Sequence, residues 1–288
     1  MKIERFKSPA KINLRLDVLN RRTDGYHDLC MVNTLVSIFD DIECEITERG
    51  ITVECENDKN VPNGENNIVY GVAKEILAYS NKNVGVNVRI KKNIPSAAGM
   101  GGGSSNAATV LAGLNDMLKI NLSKDKLMKI GLRFGADVPF FIFGAPAIAR
   151  GIGEDISKIK KMPKLPLVVV APNIMVPTKW VYEKYAAAND NQPKVFNETM
   201  EIPNRFATKK TIIKYLHNDL EKITADKFPV VNEVKALLKK TGALACQMTG
   251  SGPTVFGIYS TREQAEVACN KIKAKVGDCR VFLAENIT

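Results

Sequence analysis

The stretch Pro95-Ser96-Ala97-Ala98-Gly99-Met100-Gly101-Gly102-Gly103-Ser104-Ser105-Asn106-Ala107-Ala108 decides how this chain is read. Before it, Val84, Val86, Val88 and Ile90 alternate with polar residues, which predicts a strand. After it, Ser104 to Leu118 is rich in small residues and predicts a helix. Four of the five positions 99–103 are glycine, so the backbone is free to turn several N–H groups toward one point. Ser104 and Ser105 then open the helix, whose first amides and dipole attract an anion. The pattern predicts a phosphate cradle. A tight strand-to-helix turn accounts for one or two of the glycines, but not for four beside two hydroxyls. The Walker spacing G-x-x-x-x-G-K-[ST] is absent, and Ser104 stands where a dinucleotide fingerprint needs its third glycine.

The same alternation predicts strands at Ile12 to Val18, Ile42 to Ile46 and Ile51 to Cys55, with a polar turn at Arg21 to Gly25. Asn67 to Ser80 has helical period, with Asn66 or Asn67 as N-cap, and Ser123 caps a further helix ending near Phe134. Phe140 to Phe143 reads as a short apolar strand. From Ser157 to Pro166 the texture turns to lysine and proline, which places a domain boundary there and divides the chain into 1–158 and 159–288. The second part opens on a strand, Leu167 to Ala171. Helical segments follow between Lys179 and Lys240, interrupted by a polar stretch near Ala188 to Thr199. Strands at Ala243 to Met248, Val255 to Tyr259 and Arg280 to Ala284 then flank a helix, Arg262 to Lys275. Strands and helices mix without strict βαβ alternation, so the class expected is α+β.

Three further clusters are candidates for chemistry. In Ser8-Pro9-Ala10-Lys11-Ile12-Asn13-Leu14, Lys11 and Asn13 share one strand face and suit an anionic or hydroxylated ligand. A half-exposed strand would look the same. In Gly135-Ala136-Asp137-Val138-Pro139-Phe140-Phe141, Asp137 sits at a helix-to-strand junction, and a turn or cap aspartate explains it equally well. Met248-Thr249-Gly250-Ser251-Gly252-Pro253-Thr254-Val255 is a glycine turn able to approach a ligand backbone-first, or a plain hairpin loop.

Composition excludes several classes. The 288 residues suffice for one or two domains at roughly 100–200 residues each, without disulfide or metal staples. Spanning a membrane needs about 20 apolar residues, and the longest apolar run, Val138 to Ala149, is broken by Pro139, Gly144 and Pro146. MKIERFKSPAKI mixes charge with apolar residues and shows no secretory signal, so a cytoplasmic protein with reduced thiols is expected. The six cysteines form no C-x-x-C pair, and two histidines, His27 and His217, leave no multi-histidine metal site. With 41 Lys+Arg against 31 Asp+Glu, the net charge is +10, which suggests anionic partners.

In this order the four clusters resemble the GHMP kinase family. The Gly-rich stretch ending in Gly103-Ser104-Ser105 is similar to that family's P-x-x-x-G-L-G-S-S-A loop with extra glycines inserted. The inserted glycines, Pro9 to Leu14, Asp24-Gly25-Tyr26-His27 and Gly135 to Phe140 resemble the member whose acceptor is a cytidine-diphosphate-linked methylerythritol of the non-mevalonate isoprenoid route. The resemblance implies a two-domain GHMP kinase fold: an N-terminal ribosomal-protein-like βα domain and a C-terminal ferredoxin-like α/β sandwich that completes the substrate cleft. It implies ATP, with Mg2+ carried by the nucleotide and no metal ligand to name in the chain. Lys11 and Asp137 are implied to be catalytic. Pro95, Ser96, Ala97, Ala98, Gly99, Met100, Gly101, Gly102, Gly103, Ser104 and Ser105 are implied to bind ATP, joined by Asn67 and Lys91 from their place in the motif map. Substrate binding falls to Asn13, Tyr26, His27, Thr178, Tyr182, Gly250 and Ser251, with Trp180 a rival of Tyr182 as the aromatic against cytosine. The partners expected are small molecules, with no nucleic acid or membrane, and the chain a monomer or weak homodimer. A mevalonate- or homoserine-type kinase is the near alternative, and a non-catalytic regulator or RNA-binding protein on the same fold the distant one.

Overall fold

The computed structural model describes residues 2–189 and 202–288, so most of the polar stretch near Ala188 to Thr199 lies outside the described residues. The chain forms two compact units that interleave in sequence. One comprises residues 1–10, 38–96 and 101–144, the other 11–37, 97–100 and 145–288. Strands β1 (Ile3–Arg21) and β2 (His27–Thr47) run through both, longer than the separate strands their alternating segments predict.

In the first unit, β4 (Gly85–Lys91) is the central strand. It pairs antiparallel with Asp41–Thr47 of β2 and parallel with β3 (Ile51–Cys55). Val86, Val88 and Ile90 alternate onto one face of β4 and are buried, as a strand with one covered face requires. Helix α1 (Ile68–Ala78) buries Val69, Val72, Ala73 and Ile76, the spacing of a single helical stripe. Asn67 is its N-cap, accepting the Val69 N–H at 3.0 Å. Helix α2 (Gly102–Met117) packs against α1 and buries Ala107, Val110, Leu111 and Leu114. At Gly113 a Cβ would lie 2.8 Å from the Phe6 ring, so glycine sets how closely helix and strand approach. Helix α3 (Lys124–Leu132) is capped by Ser123, as predicted.

The Phe140 to Phe143 strand is not observed. Val138–Phe143 is a short helix, α4, with Pro139 in its first turn and Gly144 in the left-handed region (φ 71°) at its end. Four consecutive apolar residues fit strand and helix alike; the flanking proline and glycine are helix punctuation and outweigh them.

The second unit is built on an antiparallel sheet in which β11 (Cys279–Ile287) lies between β2 and β7 (Pro166–Pro172). β10 (Val255–Ile258) and β9 (Ala245–Met248) follow. Leu29–Asn33 of β2 also pairs with β5 (Ala147–Gly151), and β5 with β6 (Asp155–Lys158), a hairpin that the apolar pattern does not reveal. Helices α5 (Thr178–Ala188), α6 (Lys209–Tyr215), α7 (Glu221–Lys227), α8 (Val230–Lys240) and α9 (Arg262–Lys273) complete the unit. Val231, Val234 and Leu238 of α8 and Ala265, Ala268 and Ile272 of α9 share a core with Val168, Val170 and Val255 of the sheet. The two-residue strand β8 (His217–Asn218) pairs parallel with Arg15 and Leu16 of β1. All six cysteines are free thiols, and burial pushes Cys44 up to about 12.

One polar network ties the first unit's loop to its helix. Both oxygens of the fully buried Asp40 are used twice. Oδ1 accepts the N–H groups of Asn93 (2.7 Å) and Ile94 (2.8 Å), and Oδ2 accepts Lys92 Nζ and Asn106 Nδ2 (2.8 Å). Asn106 also accepts from Lys92 (3.1 Å) and donates to Ser8 Oγ (3.0 Å), which bonds Ser105 Oγ (2.7 Å). Removing one partner of a buried, hydrogen-bonded charge pair strands the other. Asp40→Ala is therefore expected to lower unfolding stability by about 3–5 kcal/mol, measured by urea denaturation, with Asp40→Asn intermediate.

Candidate active site

Within the first unit, the helix start has the geometry that its glycines predict. Gly101 is the N-cap residue of α2 in the left-handed region (φ 69°), which glycine adopts without strain. A Cβ on Gly102 would lie 3.0 Å from Lys92 Nζ and 3.1 Å from Ile94 Cγ2, so that glycine is required by packing beneath the loop. A Cβ on Gly103 would meet nothing within 4 Å, so that glycine is not demanded by packing. Gly103 is exposed, at the end of a 16-residue helix whose first amides have no intrahelical acceptor. The two serines differ. Ser105 is buried and its hydroxyl is spent on Ser8 Oγ and the Pro9 carbonyl (2.5 Å), whereas Ser104 is half-buried and takes no part in that network.

Asp137 stands half-buried in the turn at the N-cap position of α4, and its side chain makes no capping hydrogen bond to that helix. Its turn lies beside the start of α2: a Cβ on Gly135 would be 3.5 Å from Ser104 Oγ.

Three of the residues assigned to ATP are placed as follows. Asn67 is spent on capping, accepting from Val69 and donating to the Pro62 carbonyl (2.7 Å). Ser96 Oγ donates to Asp58 (2.6 Å). Lys91 is exposed at the end of β4, opposite Asp41, while its neighbour Lys92 turns inward beneath Gly102. Strand alternation separates the two lysines, and Lys92 continues the parity of the buried Val86, Val88 and Ile90.

The second unit gathers the other candidates. Lys11 is only 4% exposed, and its Nζ donates to Asn13 Oδ1 at 3.0 Å, so the shared strand face is realised. The Lys11 N–H also donates to the Met100 carbonyl (3.0 Å), which pins the loop's apolar residue. The glycine turn after β9 reaches the same place. Thr249 Oγ1 accepts the Asn13 N–H (2.9 Å) and lies 3.3 Å from Asn13 Oδ1 and 3.4 Å from the Gly99 carbonyl. Gly99 (φ 75°) and Gly250 (φ 58°) approach backbone to backbone: a Cβ on Gly99 would lie 2.3 Å from the Thr249 carbonyl, and one on Gly250 would lie 2.9 Å from that of Gly99. Asn218 fixes the turn from outside by donating to the Met248 and Gly250 carbonyls, both at 2.9 Å. Ser251 Oγ and Thr178 Oγ1 are 3.0 Å apart.

The aromatic candidates separate cleanly. His27 and Tyr182 stack, with ring centroids 5.2 Å apart and planes 26° from parallel. Trp180 instead packs edge-on against Phe228, and both Trp180 and Tyr182 are half-buried at the edge of the unit's apolar core. His27 Nε2 is buried without a hydrogen-bond partner among the described residues, and Tyr26 is 59% exposed. Burial, then the charge of Arg21, lowers the His27 pKa, which favours the neutral imidazole. Asp17, His217 and Asp219 lie close together, but Arg15 clamps Asp17 through two bonds and Asp219 accepts both His217 and the Val18 N–H, so the group is a satisfied ionic network. Sequence reading passed over Asp40, Lys92, Thr249 and Asn33. Thr249 lies inside a quoted motif; Asn33 carries only the faint signal of a polar residue in a mostly apolar stretch, and Asp40 and Lys92 sit beside like charges, Asp41 and Lys91, that mask them.

Comparison with known proteins agrees with this geometry. Residues 67–145 match the GHMP kinases N terminal domain and residues 204–278 the GHMP kinases C terminal domain. The 4-diphosphocytidyl-2-C-methyl-D-erythritol kinase of Geobacter metallireducens is 44% identical over 94% of this chain and 95% of its own. That of Syntrophotalea carbinolica is 41% identical over 99% of both. A crystal structure of 4-(cytidine 5'-diphospho)-2C-methyl-D-erythritol kinase superposes with a TM-score of 0.78 at 30% identity, covering 99% of this chain and all of that one. Mevalonate kinase of L. major shares the fold, with a TM-score of 0.74 at 16% identity over 98% of this chain and 95% of its own. The phosphate-type loop on α2, the Lys11–Asn13 strand and the near-full-length relatives agree: this chain belongs to the GHMP kinases, and within them to the family of the 4-diphosphocytidyl-2-C-methyl-D-erythritol kinases.

Proposed function

We propose that this chain transfers the γ-phosphoryl group of ATP to the 2-hydroxyl of 4-diphosphocytidyl-2-C-methyl-D-erythritol, a step toward isoprenoid precursors by the non-mevalonate route. The observation that carries the choice of acceptor is the stacked His27–Tyr182 pair with its buried, unpartnered Nε2, in a chain so similar to kinases of that name. A pyrimidine needs an aromatic face and a polar edge. Tyr182 and the exposed Tyr26 offer faces, and the neutral His27 offers a ring nitrogen for the edge.

In this reading the amides of Gly101 to Ser105 receive the nucleotide's phosphates at the start of α2. Ser104, the serine outside the buried network, would offer its hydroxyl to a magnesium ion carried by the nucleotide, which would supply charge neutralisation at the phosphates. Asp137 takes the proton of the acceptor hydroxyl, and Lys11, held by Asn13, steadies charge on the group in transfer. Phosphoryl transfer has a loose transition state, so positioning and charge outweigh deprotonation, and Asp137 accepts its proton late. The enzyme acts in the cytoplasm on small molecules, as a monomer or weak homodimer, with no nucleic acid or membrane partner. No described helix is long and apolar enough to cross a membrane.

An ATP-turnover assay against 4-diphosphocytidyl-2-C-methyl-D-erythritol, mevalonate and homoserine tests the reading. Turnover with the first alone is expected, and turnover with none returns the regulator alternative. General-base catalysis contributes about 10²–10⁴ in rate. Asp137→Asn should therefore lower kcat at least about 100-fold with substrate binding retained, and a loss under about tenfold removes Asp137 from the chemistry. Stacking is worth about 1–3 kcal/mol per base, so Tyr182→Ala should raise KM for the cytidine substrate by at least about fivefold. Trp180→Ala should lower the melting temperature and leave that KM unchanged. The reverse result gives the base to Trp180. Because burial lowers the His27 pKa below its ordinary 6.5, the imidazole is neutral at and above that pH. The His27 contribution to kcat/KM for the cytidine substrate should therefore be lost at a more acid pH than that of an ordinary imidazole, as a pH profile of wild type against His27→Gln would show.

A further inference from the structure

We infer that Asn33 is a positioning residue for this reaction, supplying the one strong acceptor that lets the Asn13 amide turn its oxygen toward the Lys11 ammonium. The inference rests on the role proposed above for Lys11. An ammonium group only donates, so Asn13 must present Oδ1 to it, as it does at 3.0 Å. That leaves the Asn13 NH2 group in the interior, since Asn13 is 0% exposed. Two atoms face it: Asn33 Oδ1 at 2.7 Å and Met31 Sδ at 3.5 Å. A thioether is a weak acceptor, so the amide orientation depends on the Asn33 carbonyl.

Asn33 has no other visible use for its polar end. It is 1% exposed, within the buried run Leu29–Val36 of β2, and its Nδ2 is without a hydrogen-bond partner among the described residues. A buried amide with one group unpaired costs stability, and an apolar residue would serve the strand better. What Asn33 contributes is its carbonyl, and that is aimed at Asn13. The series Lys11 Nζ → Asn13 Oδ1, Asn13 Nδ2 → Asn33 Oδ1 runs in one direction, each group fixing the orientation of the next. Asn33 does not touch substrate in this arrangement: its Nδ2 is enclosed, and it acts through Asn13.

The test is a double-mutant cycle in steady-state kinetics, with circular dichroism to confirm folding. Asn33→Leu should lower kcat at least about tenfold and leave KM for ATP within about twofold, because the phosphate loop is untouched. Asn33→Gln keeps a neutral carbonyl acceptor for Asn13 and places no charge in the interior, so it should recover kcat to within about threefold of wild type. In an Asn13→Ala background, Asn33→Leu should cost less than about twofold, since its route of action is gone. If Asn33→Leu does not fold, Asn33→Ala takes its place in the same cycle. Unchanged kcat in the single variant, or an equal loss with and without Asn13, overturns the inference. Lys11→Met separates the two levels: if it keeps full turnover, the role of Lys11 fails and this inference with it. If it abolishes turnover while the Asn33 variants behave as wild type, only the inference fails.

Discussion

The constraint on which the first unit depends is the charge of Asp40, buried and fully hydrogen-bonded. A buried carboxylate is tolerable only when its lone pairs are occupied, and Asp40 fills all four. Two of its partners are the backbone amides of Asn93 and Ile94, where the glycine loop begins, and a third is Asn106, one turn inside α2. The loop is thus held at entry and exit by one side chain. Glycines free the backbone, but freedom alone would leave an anion site to be organised at each binding event. The Asp40 network supplies the missing order, and Gly102 resting on Lys92 shows how closely the loop is fitted to it.

The second unit repeats the logic with neutral groups. Asn13 is held by its backbone N–H on Thr249 and by its side chain among Lys11, Thr249 and Asn33. Thr249 belongs to the glycine turn, whose Gly250 backbone closes on Gly99. The fourth sequence cluster therefore has an interior purpose as well as any toward a ligand. Its glycines are needed because two backbones meet there, which is why a plain hairpin is an incomplete account of it.

Much of this was legible in the sequence. Period-two runs located most strands, and Asn67 and Ser123 marked helix starts through their capping chemistry. The loop, Lys11 with Asn13, and Asp137 carried enough pattern to give the family. The failures share a cause. Val138–Phe143 was misread because a run of apolar residues has no period. Asp40 and Asn33 were passed over because their meaning lies in partners far away in sequence: Asp40 acts on residues more than 50 positions on, and Asn33 on one 20 positions back. Tyr182 was preferred on paper with Trp180 as its rival, and only tertiary packing shows that their ring partners differ, His27 for Tyr182 and Phe228 for Trp180.

The net charge of +10 first suggested anionic partners, and the structure narrows what the charge has to do. Two of the lysines that matter most, Lys11 and Lys92, are buried and bound to specific acceptors, so they act as fixed groups and not as part of a diffuse field. In a loose phosphoryl transfer the enzyme has little covalent work to do and gains chiefly from groups already in place when charge moves. A buried lysine costs desolvation, and that cost is met in advance by Asp40 and Asn106 in one unit and by Asn13 in the other. The remaining basic excess lies on the surface, where it raises the local concentration of polyanionic substrates without choosing among them. In the proposed function, selection among acceptors falls to the neutral His27–Tyr182 pair, where stacking and one ring nitrogen would distinguish a pyrimidine from a simple polyol in a way that charge cannot.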